Sequence, residues 1–195
     1  MPFTTLRHRF AVAFCALALI AGIGQTAYVR ADENDAVYAE LAARPLNLPT
    51  VGAGEACPHS PVGPIAVERI GSSLGSGPVF LTLGHAGVAQ FHSYDRIGDL
   101  YTTRTIWAVA PDIRSPVLVR GQQINGPNIV RFAHDGPTML DALRFGAAPD
   151  VPLTEAEDDW RFAAAGLGVA GPGCYVLQAD GPYFSESIVF EVAVT

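Results

Sequence analysis

The chain contains no lysine: all twelve of its basic residues are arginine, set against nineteen acids. That lack reads as coding bias rather than chemistry, and the balance leaves a net charge of −7. Nucleic acids and anionic lipid surfaces reward basic patches, so this acid excess points away from both. Cysteine is scarce, at three residues, and no C-x-x-C pair occurs. The usual spacing of zinc and dithiol sites is therefore missing. No H-E-x-x-H pair occurs; Gly71-Ser72-Ser73-Leu74-Gly75 has the spacing G-x-S-x-G, but it lies in a Gly-Ser stretch whose composition already has a structural reason, so hydrolytic chemistry has no specific local signature. No internal repeat, coiled coil or low-complexity tail interrupts the chain.

What is present begins with a targeting segment. Arg7 and Arg9 precede the apolar run Phe10–Gly24, and Val29-Arg30-Ala31 supplies small residues at a cleavage position. Residues 1–31 thus read as a signal peptide. The run is short for a membrane span, which takes about 20 residues; an uncleaved anchor is the rival reading. Cys15 lies inside the run behind Phe14, which argues against a lipoprotein site. Three arginines leave with the leader and no acid does, so the mature chain sets nine arginines against nineteen acids, a net −10. The expected location is secreted, periplasmic or cell-envelope, with no membrane contact after cleavage.

Cys57 and Cys174 remain in the mature chain. An even pair in an oxidising compartment reads as one disulfide. Closing so long a loop contributes about 4–5 kcal/mol in the chain-entropy model. The rival is a thiol pair for metal or redox work.

The mature length suits one domain, with residues 32–64 as an N-terminal extension and loop and 65–195 as the domain proper. Val37, Tyr38, Leu41 and Ala42 recur at helical spacing before Pro45 stops the run. Strands are expected at Ile65–Ile70, Val79–Leu83, Thr102–Ala110, Val117–Ile124 and Ile129–Phe132. Gly71–Gly77 reads as a turn or flexible loop, and Asn125-Gly126-Pro127-Asn128 as a tight turn. Thr154 with Glu157 has the form of a capping box, so a short acidic helix is expected over Thr154–Phe162. Many short strands bounded by Gly, Pro, Asn or Asp predict an antiparallel β-sandwich, immunoglobulin-like in general build, with Trp107 in its core.

The closing stretch is the most regular. Cys174–Ala179 is apolar apart from Gln178, as a central strand would be. Asp180-Gly181-Pro182 reads as the turn, and Ile188, Phe190, Val192 and Val194 share one face of a last, half-buried strand. Pro172-Gly173-Cys174-Tyr175, Gln178, Asp180-Gly181, Phe184-Ser185 and Ile188-Val189-Phe190 resemble the closing motif of a family of secreted bacterial proteins to which no activity is attached. The resemblance covers roughly the second half of the chain, taking in Ile106-Trp107, Pro116–Gly121 and Trp160-Arg161. A Cys-Pro pair at Cys57-Pro58 belongs to it as well. Pro182-Tyr183 departs from the small residues usual after the Asp-Gly turn, as does Ala163–Gly171 from the usual approach to the cysteine. The resemblance implies a small secreted β-domain and carries over no catalytic residue.

Two function classes follow. In the first, the chain is an exported, non-catalytic module that binds a protein, glycan or small ligand, with no cofactor. In the second, it is a metal-dependent or hydrolytic secreted enzyme using His85, His92 or His134, although these scattered histidines match no compact ligand set. The acids Glu155–Asp159 suit a helix start better than a calcium loop, which would need its mid-loop Gly and terminal Glu. The candidate binding surface is Tyr183 beside the turn, joined by Trp160 and Arg161 if the acidic helix lies nearby; the rival reading of Trp160 is a ring capping one end of the sandwich. Tyr183 has outward parity. Phe184 has inward parity, and its loss is expected to cost about 3 kcal/mol or more.

Overall fold

The computed structural model describes residues 35–52, 54–64, 71–83, 87–133, 136–146 and 159–195. The leader, the Ile65–Ile70 strand and the Thr154–Glu157 capping box lie outside the described residues, as do His85 and His134. The chain divides into two compact units, Met1–Val37 and Tyr38–Thr195. Among the described residues, the second holds thirteen strands in two sheets.

The strands are β1 (Val62–Pro64), β2 (Ser72–Leu74), β3 (Val79–Thr82), β4 (Val88–Phe91), β5 (Arg96–Ile97), β6 (Leu100–Val109) and β7 (Val117–Gln123). They continue as β8 (Arg131–Ala133), β9 (Met139–Leu140), β10 (Leu143–Phe145), β11 (Arg161–Val169), β12 (Gly173–Gly181) and β13 (Phe184–Val194). The first sheet runs β1-β2-β3-β6-β11-β8-β9, with β5 also on β6; the second runs β10-β7-β12-β13-β4. Pairing is antiparallel throughout except between β13 and β4, which run parallel. One helix, residues 35–42, precedes them, and Pro45 follows it.

Alternation builds the core. Trp107 and Val109 of β6 and Ala163, Ala165, Leu167 and Val169 of β11 face inward from the first sheet. Val117 and Val119, then Tyr175, Leu177 and Ala179, then Ile188, Phe190 and Val192 meet them from the second. Trp107 is fully buried, edge-on to Phe132 and Phe145. The Tyr175 hydroxyl donates to the Gly171 carbonyl at 2.8 Å, a loop-to-strand tie of the kind found at corners of immunoglobulin-like sandwiches. The all-β sandwich expected from the punctuated strands is the observed fold, antiparallel except where β13 meets β4.

Three local expectations are corrected. Ser72–Leu74 is strand β2 rather than flexible loop, because Leu74 is buried in the core and pairs with Leu81. Arg161 and Phe162 open strand β11 and are not helical. Asp180 and Gly181 belong to β12, and the turn is Pro182-Tyr183. Proline fixes φ for the first turn position, and Tyr183 needs no left-handed φ there.

Candidate functional site

The hairpin β12–β13 was expected to pair one central strand with one half-buried strand. β12 does lie between β7 and β13, and its residues from Tyr175 to Gly181 are all buried. Its outward residues, Val176, Gln178 and Asp180, are buried, and residues 42–47 bond across the last two, directly to Gln178 and through Arg120 to Asp180. Gln178 donates to the Pro45 carbonyl at 3.1 Å, and its amide oxygen accepts from the Asn47 N–H at 2.6 Å. Tyr38 and Leu41 are buried, and the Tyr38 hydroxyl reaches the Phe145 carbonyl at 2.7 Å.

Asp180 is the charge at the centre of this covered face. It is 0% exposed, and it accepts from Arg120 at 2.7 Å, Ser185 at 2.7 Å and Gln178 at 3.0 Å. Arg120 turns its other amino group to the carbonyls of Ala42 and Arg44, at 2.8 and 2.9 Å. A buried carboxylate is tolerable only when paired and hydrogen-bonded, and here both conditions are met. The residues of this network are spread over four segments of the chain. The sequence signal that existed was Gln178 and Asp180 sharing one strand face, two residues apart.

Arg44 extends the network to the turn. Its guanidinium donates to the carbonyls of Gly181 at 2.7 Å, Pro182 at 3.3 Å and Phe184 at 3.3 Å. Tyr183 then projects from a turn whose carbonyls are held, and it is 95% exposed. Phe184 is half-buried and packs against the core, as its parity required.

Trp160 and Arg161 do not join Tyr183. Arg161 is 1% exposed and gives its guanidinium to the carbonyls of Gly146 and Ser115. Trp160 is 9% exposed and packs on Phe80 and Phe162, on the outer side of the first sheet. They were candidates for the Tyr183 surface only if the acidic helix lay beside it; at the opening of β11 both are buried instead.

Of the histidines, His92 stacks on Tyr94 with ring centroids 5.1 Å apart, and its Nδ1 lies 3.2 Å from the Thr195 hydroxyl. His59 lies 3.7 Å from the Glu191 carboxylate. Among the described residues, no three His, Cys, Asp or Glu side chains are grouped as a metal ion requires. Cys57 and Cys174 are bonded, their Cα atoms 5.5 Å apart, which ties the N-terminal segment to the start of β12. Ser60 follows alongside β13, its N–H donating to the Val189 carbonyl at 2.9 Å.

No protein-family model matches the chain, and no curated protein is similar to it at a significant level. Among solved structures, the CooA pilin subunit from enterotoxigenic Escherichia coli is similar over 60% of this chain and 96% of its own, at 11% identity and a TM-score of 0.33. A likeness that slight says nothing of function.

Proposed function

We propose that the chain is an exported, non-catalytic β-sandwich module that binds a protein, glycan or small ligand outside the cytoplasm, with the Tyr183 turn as its contact point. The observation that carries export is the Cys57–Cys174 bond, which joins the two cysteines left beyond the leader. Structural disulfides persist in oxidising compartments and are rare where thiols are kept reduced. The apolar segment Phe10–Gly24 behind Arg7 and Arg9 supports the same reading. For binding, the supporting observation is Tyr183, exposed on a turn that Arg44 holds.

Fractionation of a bacterial host expressing the full chain tests export. A processed chain beginning near Asp32, without free thiol, is expected outside the cytoplasm. An unprocessed chain with three free thiols in the cytosol overturns it. A glycan and protein-ligand screen run in parallel with wild type and Tyr183→Ala tests the contact point, since a ligand held by both equally rejects it.

A further inference from the structure

The outer face of the first sheet carries an open groove of about 780 Å³. Strand register places its residues. Thr82, Ile106 and Ala164 stand opposite one another across β3, β6 and β11. One pleat further on, Arg104, Gly166 and Ala133 do the same across β6, β11 and β8. Side chains alternate along a strand, so all six share one face. The middle of that face is low because alanine and glycine occupy it. One end is raised by Phe80, Trp160 and Phe162, which pack together. At the other end the Met139 side chain takes the space over Gly168.

The polar groups of the groove are unequal. The Thr82 hydroxyl is bonded to that of Ser73 at 2.9 Å, and the Thr105 hydroxyl donates to the Ala165 carbonyl at 2.8 Å. Arg104 is exposed and, among the described residues, has no hydrogen-bond or ionic partner. Every other described arginine has an acid, a carbonyl or an aromatic ring, from Arg44 on the hairpin turn to Arg161 under the first sheet. In a chain with net charge −7, an arginine left without an anion at the rim of a groove is conspicuous. Ile106, 37% exposed, and the exposed Ala164 lie beside it and offer apolar surface.

We propose that this groove binds a small amphipathic carboxylate, its apolar body over Ile106 and Ala164 and its carboxylate on Arg104. The guanidinium fork matches a planar carboxylate through two parallel hydrogen bonds. The volume falls within the range of about 300–1,000 Å³ that small-molecule sites occupy. The groove belongs to the opposite sheet from the hairpin, so it stands apart from the Tyr183 contact.

Octanoate is the probe, with octyl glucoside and acetate as its uncharged and tail-less counterparts. Amide chemical-shift titration of the isotope-labelled mature protein should place octanoate on β6, β8 and β11 around Arg104, Ala133 and Ala164. Arg104→Gln should weaken it about tenfold, as expected when a charged bidentate pair is lost. Ala164→Trp, which fills the floor, should abolish it, and Tyr183→Ala should leave it unchanged. Octyl glucoside binding as well as octanoate, undiminished binding to Arg104→Gln, or shifts confined to another face would each overturn the site. Shifts at the groove that depend on protein concentration without octanoate would assign the face to a second copy of the chain and overturn it too.

Discussion

Asp180 and Tyr183 are three residues apart and have opposite fates. Asp180 is a fully buried carboxylate whose removal leaves Arg120 with its charge uncompensated. Asp180→Ala should therefore cost about 3–5 kcal/mol in a denaturant melt. Tyr183→Ala should stay within about 0.5 kcal/mol, as surface changes do. Phe184→Ala, half-buried against the core, should cost about 2 kcal/mol, below the figure for a fully enclosed ring. The parity of Tyr183 and Phe184 was legible in the sequence, because alternation along a half-buried strand is a local property. The burial of Asp180 was not, since it depends on residues 42–47 crossing the sheet from far away in the chain. An Asp-Gly pair before a proline has every local mark of a turn, and tertiary pairing with Arg120 overrode it.

At the scale of elements, the strands written in β-branched and aromatic residues declared themselves. β6, β7, β12 and β13 fall within a few residues of where their composition places them. β11 did not declare itself. Its sequence, RFAAAGLGV, is poor in strand formers, yet it is central in the first sheet, between β6 and β8. Small residues are tolerated there because the groove face needs little volume and the core face meets large partners such as Trp107. A related close approach governs β7, where a Cβ on Gly121 would lie 2.5 Å from Leu177 Cδ2 and 2.8 Å from the Val176 carbonyl. Gly121→Ala should cost about 1–3 kcal/mol by forcing β7 and β12 apart.

Glu186 links the sheets at one end. Its carboxylate accepts from the Ser76 N–H at 2.6 Å and the Val79 N–H at 3.4 Å. Burial raises its pKa above the ordinary 4.5, and the backbone donors only partly offset this. The folded state thus holds this proton more tightly than the unfolded chain does. The contribution is fully present below the unfolded value and is lost as pH rises through the folded one. Between about pH 4 and pH 7, wild type should therefore lose stability relative to Glu186→Gln, which cannot titrate. Parallel denaturant midpoints of the two proteins across that range check the sign.

For the whole molecule, the sandwich class and the cysteine pair were readable because punctuation and parity of cysteines survive without any knowledge of contacts. Strand order was not, since nothing local announces that β4 joins β13 in parallel. The disulfide spans 117 residues, so Cys57→Ser with Cys174→Ser should lower stability by about 4–5 kcal/mol in the chain-entropy model. A thermal melt of the double variant against wild type measures it. The position of β13 has a consequence in time. Its edges are shared by β12, β4 and the segment at Ser60. β4 pairs with no other strand in its sheet. β13 therefore closes the second sheet from both sides, and a chain emerging from its N-terminal end has no finished sandwich until β13 has followed β4 and β12.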